Sequence, residues 1–295
     1  MELNYIIWNV NPYIFTFPEN FPLLGGHPVA WYGLLWALAF VVGYYVMRKM
    51  YRKEKLGDEL LDKLTIYMLI CSVVGARLGH CWFYEWQPTE NPIKILGFTI
   101  NYRNPYFEHP LDLFKVWEGG LASHGGAIGI LIGLWIYSRK TKISYQHILD
   151  LIVVPVALGG AFIRLGNLMN SEIYGYETTL PWGFKFVRDW APGTPIEAIP
   201  ASHPTQIYEA LICLIVFAIL LYLYFRKDNA QKHPGFMFGL FCTVVFGSRI
   251  LIEFIKQPQM EFENSMSLDM GQWLSIPLVL IGVFFMVKSY CSSIS

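Results

Sequence analysis

The chain has 295 residues, 54% of them hydrophobic and only 15% charged, with zero formal net charge and a mean hydropathy of +0.38. A soluble domain carries about a quarter charged residues, so an ordinary water-soluble globule is excluded, and the balanced charge points to no nucleic-acid partner. The apolar residues are also concentrated. Residues 29–47 and 270–287 contain no formal charge, and each run can cross ~30 Å of hydrocarbon at about 1.5 Å per helical residue.

In chain order, residues 1–28 lack Lys and Arg and contain Pro12, Pro18, Pro22 and Pro28. They have neither the basic start nor the short apolar core of a secretory signal peptide. Their aromatic residues (Tyr5, Trp8, Tyr13, Phe15, Phe17) suit an interfacial lead-in at headgroup level. Seven apolar segments follow, near 29–48, 64–85, 121–138, 148–170, 206–225, 235–256 and 270–288, and their length and hydropathy predict a helix for each. Turn-rich stretches at 88–110 and 181–204 separate some of them, and no internal repeat is visible. The expected fold is an all-α membrane protein, a single bundle of about seven transmembrane helices forming one polytopic domain over 1–295. Cys71, Cys81, Cys213, Cys242 and Cys291 show no CxxC spacing and read as small packing residues.

Loop charges set the orientation. The loops after the first, third and fifth spans, with Lys288 at the C-terminal end, hold 13 Lys and Arg residues, against six on the opposite side. The N-terminus is therefore expected outside and the C-terminus in the cytoplasm, which makes loops 86–120 and 171–205 extracytoplasmic. Lys256 is counted among the six.

Those counts leave three of the 22 basic residues, Arg77, Arg164 and Arg249, within apolar spans. An arginine near the centre of a membrane helix costs ~2.5–3.5 kcal/mol on insertion scales and keeps its charge, so each needs an anion or a wet cavity. Glu253 lies one helical turn from Arg249, and Glu209 can serve one more, while Glu172 and Glu118 sit nearer loops. Three guanidinium groups against two in-span acids leave room for an anionic ligand. Phosphate is the natural one, because its oxygens match the planar guanidinium fork. An interhelical salt-bridge network that only holds the bundle together is the alternative.

Polar constellations accompany these arginines. Arg164, Asn167 and Asn170 recur every third residue and form one polar stripe, with Gly166 small enough for close approach. Asn side chains suit phosphate or glycerol oxygens, or a structural ladder between helices. Ser123-His124-Gly125-Gly126-Ala127-Ile128-Gly129 opens the third span. A histidine at a helix start suits proton acceptance or simple capping, and the glycines suit helix packing. His203-Pro204-Thr205-Gln206-Ile207-Tyr208-Glu209 opens the fifth span and Trp31-Tyr32-Gly33 the first. His80 reads as a packing neighbour. No metal-ligand spacing, GxSxG elbow or P-loop is present, so neither metal nor cofactor is expected.

In order, Trp31-Tyr32-Gly33, Gly75-Ala76-Arg77-Leu78-Gly79, His124-Gly125-Gly126, Arg164-Leu165-Gly166-Asn167-Leu168-Met169-Asn170-Ser171-Glu172, the His203 to Glu209 block and Arg249-Ile250-Leu251-Ile252-Glu253-Phe254 resemble the motifs of prolipoprotein diacylglyceryl transferases. The resemblance spans roughly 27–288. It implies a seven-span, N-out enzyme of the bacterial cytoplasmic (inner) membrane. Such an enzyme moves the diacylglyceryl group of phosphatidylglycerol to the lipobox cysteine thiol of a preprolipoprotein and releases glycerol 1-phosphate. The partners implied are phosphatidylglycerol, preprolipoprotein signal peptides and the lipid bilayer. Ala30 stands where some relatives have His, and Lys256 where they often have Arg.

With that reaction, Arg164 is expected to bind phosphate with Asn167 and Asn170 supporting the head group. Arg249 would stabilise the leaving phosphate and Glu253 would orient it. His124 would act as general base, Arg77 as a second anion contact, and Tyr32 and Tyr208 would position lipid or thiol. A lipid or anion transporter is the competing reading, and a membrane scaffold a third; release of glycerol phosphate discriminates for the enzyme.

Overall fold

The structure, a computed structural model, describes residues 5–22, 25–83, 85–95, 98–107, 109–115, 122–257 and 267–292. Seven long helices account for most of it: α1 (Trp31–Lys53), α2 (Asp58–Phe83), α3 (Ser123–Thr141), α4 (Tyr145–Met169), α5 (Thr205–Lys227), α7 (Phe236–Glu253) and α8 (Met270–Ser292). They overlie the seven segments expected from hydropathy. The four-residue α6 (Asn229–Lys232) joins α5 to α7. Among the described residues, α2, α4, α5, α7 and α8 are long and apolar enough to cross a membrane. In α1 and α3 the apolar run is diluted by Tyr, Trp and Gly and by the terminal Arg and Lys residues.

Local chemistry explains where the helices stop. Arg52 and Lys53 end α1, Arg139 and Lys140 end α3, and Arg226 and Lys227 end α5, where cations oppose the negative end of the helix dipole. Lys142 and Asp228 then turn into the left-handed region at φ 61 and φ 51, which closes the last turn of α3 and α5. Pro155 and Pro277 lie inside α4 and α8. Proline is tolerated in apolar helices whose neighbours re-satisfy the freed backbone groups.

The loops contain strands that hydropathy did not foretell. β1 (Ile6–Trp8) pairs in parallel with β6 (Phe184–Phe186), and β2 (Tyr13–Thr16) pairs antiparallel with β3 (Pro28–Ala30). Within 86–120, β4 (Gln87–Ile95) and β5 (Phe98–Arg103) form an antiparallel hairpin.

The chain divides into two compact units, Met1–Met50 with Leu149–Ser295, and Tyr51–Ile148. In the second, α2 and α3 meet along glycines: a Cβ on Gly75 would lie 2.4 Å from the Gly125 carbonyl oxygen. Small residues permit this backbone contact, as they do throughout membrane bundles. In the first unit, Ala161, Ala210 and Cys213 pack α4 against α5 with Leu165. Leu168, Phe184 and Phe186 join Trp8, Tyr174 and Ile207 around the end of α4.

One buried carboxylate sets the axial register of two site-bearing helices. Asp150, in the first turns of α4 and fully buried, accepts hydrogen bonds from the Gly235 N–H at 2.5 Å and the Phe238 N–H at 2.8 Å, at the start of α7. From that clamp, Arg164 and Arg249 each lie 14 residues further on, a rise of about 21 Å along each helix. We predict that Asp150→Asn, whose amide nitrogen cannot accept, leaves one buried N–H unsatisfied at a cost of roughly 1–3 kcal/mol. Thermal unfolding in detergent should show a Tm several degrees below the parent; an unchanged Tm would contradict the clamp.

Candidate active site

The stripe expected on α4 is present, and it faces a partner from α5. Arg164 Nε is 3.1 Å from Glu209 Oε2, and Arg249 Nε is 3.9 Å from Glu253 Oε2 on the next turn of α7. Lys256 joins the two pairs, with its Nζ 3.5 Å from Glu209 Oε1 and 3.5 Å from Glu253 Oε2. The result is one chain of alternating charges across α4, α5 and the end of α7. The lysine was counted with the exterior loop residues, but its side chain is only 1% exposed. The signal that could have found it is its position three residues after Glu253, on the same helical face.

These contacts are close in charge but loose in hydrogen bonding. Glu209 Oε2, Glu253 Oε2, Arg249 Nε and Lys256 Nζ are buried and have no hydrogen-bond partner among the described residues. Buried polar atoms are normally satisfied, so unspent hydrogen-bonding capacity is concentrated at this site. The arginines are partly exposed, at 19% side-chain exposure for Arg164 and 29% for Arg249. Partly exposed arginines backed by buried acids suit an external anion.

Asn167 and Asn170 act through a residue that sequence reasoning had set aside as loop-proximal. Both side-chain amides donate to Glu172 Oε1, at 2.8 and 3.2 Å, and Arg164 Nη1 donates to Asn167 Oδ1 at 3.5 Å. Gln206 in turn donates to the Glu172 carbonyl at 2.7 Å. Turning the chain this sharply after α4 puts Ser171 at φ 55 and Ile173 at φ 62. A β-branched residue in that region is strained and persists only where its surroundings hold it.

The holding structure is a knot of three backbone segments. Gly175 N–H donates to the His203 carbonyl at 2.9 Å, His203 N–H to the Tyr176 carbonyl at 3.0 Å, and Tyr176 N–H to the Ile255 carbonyl at 2.8 Å. A Cβ on Gly175 would lie 2.3 Å from the Ile255 oxygen, so only glycine fits between them. This pairing carries the chain from Glu253 to Lys256 into the network. Tyr32 sits against Gly166, where a Cβ would meet its ring at 2.7 Å. The close approach expected at Gly166 is thus made by α1.

Tyr208 belongs to a separate cluster: Trp182 Nε1 donates to its hydroxyl at 2.9 Å, and His203 Nδ1 lies 3.3 Å from the same oxygen. Tyr174 donates to Asp189, and burial together with that carboxylate pushes its hydroxyl pKa well above the ordinary tyrosine value. Arg77 and His124 belong to the other compact unit. Arg77 is buried and donates to the carbonyls of Leu113 at 3.2 Å and Asp112 at 2.7 Å, with Tyr106 beside its guanidinium. Its neutral partners are backbone oxygens of the 3-10 helix Pro110–Phe114. His124 is exposed, the second residue of α3, with Ala122 in the N-cap position. Glu118 lies outside the described residues. No group of His, Cys, Asp and Glu that could hold a metal occurs among the described residues.

Fold and site together define a multi-pass helical membrane protein with three basic side chains gathered around two buried carboxylates. The family profile for prolipoprotein diacylglyceryl transferase matches residues 18–288. The chain is 42% identical over 292 residues to a phosphatidylglycerol–prolipoprotein diacylglyceryl transferase of Porphyromonas gingivalis, covering 97% of this chain and 95% of the relative. A protein of the same name from Tolumonas auensis is 41% identical over 285 residues, covering 96% of this chain and 97% of the relative. One from Cereibacter sphaeroides is 33% identical over 280 residues, covering 88% and 90% respectively. The chain belongs to the prolipoprotein diacylglyceryl transferase family.

His203 also yields a pH prediction. Partial burial lowers its pKa below the ordinary 6.5, so the folded state favours the neutral ring bonded to Tyr208. The unfolded chain takes up the proton first as pH falls, so this stabilisation is present above about 6.5 and is lost as pH drops towards the folded pKa. The Tm of the parent should decline over that window more steeply than the Tm of His203→Gln. Equal slopes would show that His203 does not titrate with folding.

Proposed function

We propose that the chain transfers the diacylglyceryl group of phosphatidylglycerol to the thiol of the lipobox cysteine of a preprolipoprotein. The products are a thioether-linked lipoprotein precursor and glycerol 1-phosphate, and the step is the first in bacterial lipoprotein maturation. The observation that carries this reading is the pair of partly exposed arginines, Arg164 and Arg249, linked through Glu209, Lys256 and Glu253 in a chain of this family. The substrate sulfur forms a bond to the glyceryl C3 carbon, the bond from that carbon to the phosphate oxygen breaks, and the thiol proton leaves to a base. Such a displacement needs a thiolate and an electrophilic clamp on the departing phosphate. The enzyme's own cysteines take no part, because the substrate brings the nucleophile.

Arg164 binds the phosphate, and Asn167 and Asn170 support the head group and, through Glu172, the arginine itself. Arg249 stabilises the leaving phosphate and Glu253 orients it. His124 is the general base. Tyr32 and Tyr208 position lipid or thiol, and Arg77 serves as a second anion contact. The protein lies in the bacterial cytoplasmic membrane as one polytopic domain crossing it seven times, with the N-terminus outside and the C-terminus in the cytoplasm. Seven long helices over the apolar segments and the bias of basic residues towards one side support that topology.

Purified protein in detergent with phosphatidylglycerol and a lipobox peptide tests the assignment. Arg164→Ala and Arg249→Ala should each lower the transfer rate roughly 10²-fold or more, and near-parental rates in both would refute the phosphate clamp. Glycerol 1-phosphate release by the parent separates the enzyme from a transporter. His124→Gln should lose activity at neutral pH and regain part of it as pH approaches the free thiol range, about 8.5. Parental activity of that variant at neutral pH would remove the histidine from the mechanism.

A further inference from the structure

Lys256 differs from the two arginines in its access to a ligand. Its side chain is 1% exposed, whereas those of Arg164 and Arg249 are 19% and 29% exposed. It lies equally far, at 3.5 Å, from Glu209 Oε1 and Glu253 Oε2, the same two acids that face Arg164 and Arg249. A sealed cation behind two open ones cannot meet a bulky lipid phosphate first. Its contribution reaches the ligand through the carboxylates.

The charge balance shows what that contribution is. Arg164, Arg249 and Lys256 face Glu209 and Glu253, which leaves one surplus positive charge in the closed network. Glu172 stands one step outside, beyond the Asn167 amide and partly exposed. Without Lys256 each arginine would be matched by its own carboxylate and the surplus would vanish. Surrounded by apolar helices, such a unit charge acts over several ångströms with little screening. We propose that Lys256 is a positioning residue that neutralises Glu209 and Glu253 from behind, so that the arginines on both sides keep a net positive field for the phosphate. The backbone knot between 174–176 and 255–257 fixes it there: Gly175 and Lys256 form a β-bridge, and Gln257 N–H donates to the Tyr174 carbonyl at 3.3 Å. The Nζ atom lacks a hydrogen-bond partner among the described residues, which fits a charge held for its field and not for one directed bond.

This inference rests on the assignment of Arg164 and Arg249 to phosphate, and the test separates the two. The readout is inhibition of transfer by added glycerol 1-phosphate, with the parent rate measured alongside. Lys256→Met should weaken inhibition roughly tenfold or more, and Lys256→Arg should retain it. The double variant Lys256→Met with Glu209→Gln restores a surplus of one and should recover most of the lost inhibition. A lysine needed only for packing would make the double variant worse than the single one, and that result overturns the proposal. So does unchanged inhibition in Lys256→Met. Where the single variant fails to fold, the charge-matched double carries the test: parent-like inhibition supports the surplus-charge role, and a tenfold loss refutes it. A parent protein that transfers nothing would instead refute the proposed function.

Discussion

The structure turns on a surplus of positive charge held among apolar helices. An arginine in such surroundings costs several kcal/mol unless paired, and pairing it completely would leave nothing for a ligand. The chain meets both demands by sharing two carboxylates among three cations, with ion-pair distances from 3.1 to 3.9 Å. Buried ion networks are poor sources of stability in themselves. The loose hydrogen bonding of Glu209, Glu253, Arg249 and Lys256 therefore makes better sense as readiness for an anion than as glue.

Much of the rest of the first unit serves to hold those charges at one place. Asp150 ties the start of α4 to the start of α7, and ion pairs through Glu209, Lys256 and Glu253 link Arg164 to Arg249 further along. At the other end, the segments around Gly175, His203 and Ile255 hydrogen-bond into a knot that carries Glu172 back to its asparagines and Lys256 back to the acids. The strain at Ser171 and Ile173 is the local cost of that turn. In the proposed mechanism, rigidity at both ends lets guanidinium groups on long side chains act as a preorganised clamp.

The apolar helices and the arginine stripe were legible in the sequence because they are local patterns. A run of apolar residues announces a helix, and recurrence every third residue puts Arg164, Asn167 and Asn170 on one face. Lys256 was misread because a count of loop charges assigns a basic residue at the end of a span to the water side, while its burial depends on a bridge to Gly175 some eighty positions earlier. Asp150 was overlooked for the same reason, since its hydrogen bonds join residues 85 and 88 positions apart. The β4–β5 hairpin went unseen inside a segment whose prolines and asparagines suggested only turns. Arg77 is read from the sequence only as a second anion contact, and the carbonyls it donates to belong to a 3-10 helix that no periodicity indicates.

The central claim is that one phosphate is held jointly by Arg164 and Arg249. A structure of the purified protein with phosphatidylglycerol bound measures it directly, through the distances from the phosphate oxygens to the two guanidinium groups. The account predicts hydrogen bonds of about 2.7–2.9 Å to both arginines, with Lys256 still behind them between Glu209 and Glu253. A phosphate bound elsewhere, with both arginines closed onto their carboxylates, would contradict it.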